Sequence, residues 1–103
     1  MKINGYLSTP MKMDNKILTR HPQGKKGVRI EQSKYDVIRG AILRSIQSQS
    51  LSFSNMTKAV KKQLQEFFDG SINSYMVAVK LDLEARGKIH RNPGRPETYS
   101  LSQ

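Results

Sequence analysis

The chain has 103 residues, enough for one domain with a small core. It carries 18 basic and 8 acidic side chains, a net charge of +10, which favours a polyanionic partner, with plain solubility as the alternative. It has no cysteine, which excludes a disulfide framework, a thiolate metal site and a cysteine nucleophile. The first residues lack the apolar core of a signal peptide, and the longest apolar run, Met76–Val79, is far too short to span a bilayer. A soluble, cytoplasmic protein is expected.

Residues 1–33 read as a basic arm, poorly ordered unless docked. The stretch 1–34 holds eight basic and two acidic residues, so it supplies +6 of the net charge. It also holds Gly5, Pro10, Pro22, Gly24 and Gly27 and shows no sustained periodicity. Val28 and Ile30 suggest a short extended piece against the domain. Lys25, Lys26 and Arg29 lie within five residues, beside two glycines. Basic arms that enter a minor groove or track phosphates have this composition, and so do solvated tails. The Walker spacing of a phosphate loop is absent.

The domain proper is expected over 34–103. A first helix is predicted from about Lys34 to Gln47, with Tyr35, Ile38, Ile42 and Ile46 on one stripe and Asp36 in the first turn. Leu51-Ser52-Phe53 alternates like a very short strand, and Ser54 is a good helix cap. A second helix follows over about Asn55–Gln65. Met56, Ala59, Val60, Leu64 and Phe67 share its inner face, and Lys58, Lys61, Lys62 and Gln65 its outer face. That outer face is either a solvated surface or one that lies over a phosphate backbone.

Asp69-Gly70 marks a turn, and Ser71 is a plausible cap for a third helix that runs to about Arg86. Ile72, Met76, Val79 and Leu83 form its inward stripe. Gly87 is the expected stop, because glycine enters the left-handed cap at little cost. Lys88–Arg91 and Glu97–Leu101 then read as two strands around an Asn92–Pro96 turn, with Ile89, Tyr99 and Leu101 facing the core.

The stretches "LEARGKIHR" and "NPGRPETYSL" carry a resemblance to the winged helix-turn-helix superfamily: a glycine ends the third helix and a hairpin wing follows. The resemblance covers about Lys34 to Leu101. With the "GKKGVRI" arm, the whole layout is also similar to a family of small, uncharacterised bacterial winged-helix proteins, a likeness that brings no activity with it. The implied fold is α+β, with three helices, a short strand and a C-terminal β-hairpin wing.

The resemblance implies double-stranded DNA as partner, with the third helix in the major groove and the wing on the backbone or minor groove. On that basis the contacts are Lys58, Lys61 and Lys62 on the second helix, Asn73, Ser74 and Lys80 on the third, and His90, Arg91 and Arg95 on the wing. Lys25, Lys26 and Arg29 add the arm. Val77 and Leu81 strain this picture, because they place apolar groups where a reading helix would be polar. They suit a partner interface, either a homodimer contact or a seat for the arm. Leu81 also fits the core if the helix is rotated.

Little else in the sequence carries chemistry. His21 and His90 lie far apart, so a metal site is not expected. Nucleophile motifs and glycine-rich fingerprints are absent. The carboxylates are few and fall mostly where surface helix ends would put them. The expectation is a non-enzyme without cofactor or small-molecule substrate, either a transcription-regulatory DNA binder or a winged-helix interaction module.

Overall fold

The computed structural model describes residues 15–102. The first part of the expected arm, 1–14, lies outside them. The architecture is α+β, with three helices and two small antiparallel sheets.

From Lys16 onward, the segment expected as an arm is built into the fold. Strand β1 (Lys16–Leu18) pairs antiparallel with β2 (Arg29–Glu31), in the register Lys16↔Glu31, Ile17↔Ile30, Leu18↔Arg29. Alternation sends Ile17 and Ile30 to the same face, where both pack against the core.

Helix α1 (Gln32–Ser45) follows β2 directly and starts earlier than its apolar stripe suggests. Asp36 therefore sits beyond the first turn, where it accepts a hydrogen bond from Gln32 Nε2 at 3.0 Å. Tyr35, Ile38, Ala41 and Ile42 are buried, and Ile46 caps the helix from inside the core.

Strand β3 (Leu51–Ser52) leads into helix α2 (Phe53–Leu64). The cap is Ser52 rather than Ser54. Its Oγ accepts from the Asn55 amide at 3.1 Å, while its backbone still belongs to the strand. Met56 and Val60 face inward as expected. Phe67 does not; it is 90% exposed. Gln65 takes a left-handed backbone (φ 46°) that breaks the helix, and Gln65–Phe67 continue as a single 3-10 turn. The helical period ends there, and Phe68 packs edge-on to Tyr75 instead, with ring centroids 5.4 Å apart.

Helix α3 (Ile72–Ala85) begins at Ser71, whose Oγ accepts from the Ser74 amide at 3.3 Å. Met76, Val79 and Leu83 are buried. The helix ends in a Schellman motif: Gly87 N–H donates to Glu84 O at 3.0 Å and Lys88 N–H to Leu83 O at 2.8 Å. Gly87 has φ +73°. Gly87→Ala should cost about 1–2 kcal/mol, the penalty of placing a Cβ in that region, readable as a lower urea midpoint.

Strands β4 (Ile89–Asn92) and β5 (Thr98–Leu101) form a hairpin, and β3 adds to the far side of β5, giving the order β3-β5-β4. The register is Ile89↔Leu101, Arg91↔Tyr99 and Leu51↔Tyr99. Ile89 and Tyr99 are buried and Leu101 packs against them, so the core is closed by the three helices and one face of this sheet.

The most deeply buried polar group among the described residues joins three parts of the fold. Asp82 of α3 is fully buried, at 0% exposure. Its carboxylate accepts hydrogen bonds from the Arg20 amide at 2.8 Å, from Arg86 Nε at 2.8 Å and from the Tyr35 hydroxyl. Burial and this carboxylate push the Tyr35 phenol up to about 12, so Tyr35 stays a donor at physiological pH. The expectation that carboxylates mark surface helix ends fails here. Asp82 ties the segment after β1, helix α1 and helix α3 together at one atom group.

Candidate nucleic-acid interface

The basic outer face of α2 is present, with Lys58, Lys61 and Lys62 exposed. Thr57, Lys58 and Lys61 of α2 border a groove of about 450 Å³ between α2 and α3, whose far side is Asn73 and Val77 of α3. Asn73 and Ser74 are exposed in the first turn of α3, where free backbone amides add positive potential. Among the described residues, none that lines the groove is acidic.

A second cleft, of about 270 Å³, lies between α3 and the β1–β2 loop. Arg20, His21, Lys26 and Val28 face Ser74, Val77, Ala78 and Leu81 across it. Again none of the lining residues among those described is acidic. Val77 borders both depressions and is 50% exposed, whereas Leu81 is partly buried beside the loop.

The loop is held firmly. Thr19 N–H donates to Val28 O at 2.8 Å, and Val28 N–H donates back to Thr19 Oγ1 at 2.9 Å. The Arg20 amide is fixed on Asp82, as described above. Lys25 and Lys26 are exposed on this loop, and Arg29 is exposed on β2 opposite Leu18. Arg20 joins the cationic set, with His21 beside it, although the sequence reading left both out. Their signal was present in the run "RHPQGKKGVR", which has no acidic residue.

Two of the expected contacts, Lys80 and Arg91, are ion-paired within the protein. Lys80 is only 8% exposed. Its Nζ lies 2.9 Å from Glu84 Oε2, above the rings of Tyr99 and Phe53 at 5.0 and 5.6 Å. Arg91 forks onto the same carboxylate, with Nε at 2.9 Å and Nη2 at 3.3 Å, and reaches Glu97 at 3.6 Å. The β4–β5 register explains this: Arg91 stands opposite Tyr99, on the face turned towards α3, so the pleat aims it at Glu84. His90 and Arg95 remain exposed on the hairpin, and His90 stands opposite Ser100.

Burial of Glu84 opposes its ionisation, but the hydrogen bonds and charges of Arg91 and Lys80 outweigh it and hold the carboxyl below its ordinary 4.5. A depressed carboxyl stabilises the fold above its unfolded value, and this stabilisation is lost as pH falls through the folded value. Acid unfolding should therefore draw on Glu84 below about pH 4.5. Glu84→Gln should lower the melting temperature at neutral pH, since it leaves the Lys80 charge buried without its partner, and should flatten the fall in melting temperature between pH 5 and 3.

Among the described residues, no group of three or more His, Asp or Glu side chains is placed to hold a metal ion, and no helix is long and apolar enough to cross a membrane. The fold and this surface define a small, basic α+β protein with cations on both flanks of the exposed Asn73–Val77 edge of α3. The chain belongs to the family described as "Family of unknown function (DUF6958)", which matches residues 16–99. The matched span opens on β1 and closes within β5, so it includes the N-terminal hairpin. No curated protein and no solved structure matches the chain.

Proposed function

We propose that this protein is a winged-helix module that binds double-stranded DNA without catalysis, as a cytoplasmic regulator. One observation carries the reading: Lys58 and Lys61 of α2 and Asn73 of α3 converge on a single groove with no acidic lining among the described residues. Lysine suits phosphate as a point charge, and asparagine can make a bidentate pair with N6 and N7 of adenine in a major groove. The order of elements from α1 onward, with a strand ahead of α2 joined to a C-terminal hairpin, supports the same reading. Arg95 and His90 on that hairpin are the remaining candidates for contact with a second stretch of backbone.

Phosphate contacts release counterions, so affinity falls with salt on a slope of about 0.9 per phosphate. Lys58→Ala with Lys61→Ala should lower that slope by about two, measured by fluorescence anisotropy with a mixed-sequence duplex. An unchanged slope would remove the groove from the interface. The rival reading, a protein interface through Val77 and Leu81, has less support, because Leu81 is partly covered by the β1–β2 loop. A homodimer by this route would appear in sedimentation and dissociate in Val77→Asp.

A further inference from the structure

The β1–β2 loop presents an electrostatic puzzle. Between Arg20 and Arg29 it carries four cations and His21 with no acidic residue. Like charges this close repel, and a solvated tail would separate them. Here the loop is instead pinned at both ends, by the reciprocal Thr19–Val28 hydrogen bonds and by the Arg20 amide on buried Asp82. Within it, Gly24 N–H closes a turn onto His21 O at 2.9 Å. The anchor on Asp82 uses the backbone of Arg20, so the guanidinium is not consumed in making it.

Pinning sets the loop on one flank of α3, where Arg20, His21 and Lys26 line the cleft against Ser74 and Val77. The lysines of α2 border the other flank, and Val77 is common to both sides. An α-helix with its side chains is about 10–12 Å across, and a B-form major groove is about 12 Å wide. A helix seated in that groove has a phosphate backbone on each side.

We infer that the β1–β2 loop is a second, preorganised phosphate-binding wall: it contacts the backbone across the groove from the one that α2 contacts, so α3 lies between the two strands of one duplex. This rests on the duplex-binding reading above. Preorganisation gives the rigid loop its purpose, since ordering a flexible arm on binding would cost affinity.

The test compares salt slopes for the full chain, the Lys25→Ala/Lys26→Ala pair, the Lys58→Ala/Lys61→Ala pair and all four together. The probes are a mixed-sequence duplex and a single strand of the same sequence. Lys25 and Lys26 are exposed, so thermal unfolding should match wild type and serves as the folding control. Each pair should lower the duplex slope by about two, the four together by about four, and the loop pair should affect the duplex more than the single strand. A wild-type slope in the loop pair, beside a reduced slope in the α2 pair, overturns the second wall and leaves duplex binding standing. Equal effects of the loop pair on duplex and single strand also overturn it, because undirected charge behaves that way. No duplex binding by wild type removes both readings.

Discussion

Asp82→Ala should destabilise the protein by about 3–5 kcal/mol, the scale for removing one partner from a buried charge cluster. The carboxylate is fully buried and receives the Arg20 amide, Arg86 Nε and the Tyr35 hydroxyl. Removing it leaves three donors without an acceptor, each desolvated to some degree. Asp82→Asn keeps the size but replaces one acceptor oxygen with a donor group facing these same donors, so it should recover only part of the loss. Urea unfolding reads the free energy. The Tyr35 phenol offers an independent readout: burial and the Asp82 carboxylate raise it to about 12, so the substitution should bring its ionisation back towards 10. A raised phenol stabilises the fold fully below pH 10, and this contribution is lost as pH climbs through about 12. The wild-type protein should therefore lose stability more steeply than the Asp82 variants as pH rises from 10 towards 12.

Gly27→Ala should be nearly as severe as a surface-loop change can be. A Cβ at Gly27 would sit 1.7 Å from the Thr19 carbonyl oxygen and 2.9 Å from its Oγ1. The obstacle is backbone, and it is the same backbone that exchanges hydrogen bonds with Val28. The two sides of the loop must part, which costs about 1–3 kcal/mol in the manner of an overpacked core and loosens the Arg20 amide from Asp82. Amide exchange at Arg20 and Val28 should accelerate well beyond that of α1. Gly24→Ala is the useful contrast. Its surroundings are open, and only its φ of +74° resists a side chain, so about 1–2 kcal/mol and a retained loop are expected. If Gly27→Ala left exchange at Arg20 and Val28 unchanged, the pinned loop would be an incorrect description of the protein.

These two sites show where sequence reasoning reached and where it stopped. The stripes of α1, α2 and α3 were legible because apolar residues recur at the helical period, and Gly87 because only glycine caps at that φ without strain. Phe67 misled because the left-handed Gln65 that breaks α2 has no local signature. Of the N-terminal hairpin only the extended piece near Ile30 was legible, and its pairing with β1 was not, for a different reason. Its strands have three residues each, too few for a period, and its anchor is a carboxylate 62 residues away. Lys80 and Arg91 looked like surface cations; Lys80 meets Glu84 one turn along α3, and only the register of β4 with β5 brings Arg91 onto the same carboxylate. The candidate site was therefore readable as a list of cations, not as an arrangement. The grouping of Lys58 and Lys61 with Asn73, and of Lys26 with Arg20, depends on helix packing and a loop clasp.

The central claim is that the free cations around α3 exist to meet phosphate. Anisotropy of the full chain on a mixed-sequence duplex, from 50 to 200 mM salt, tests it most directly. If about six phosphates are neutralised, affinity should fall roughly a thousandfold across that range. Weak binding with a flat salt response, or no binding at the low end, would contradict the claim and leave the net charge of +10 as a matter of solubility.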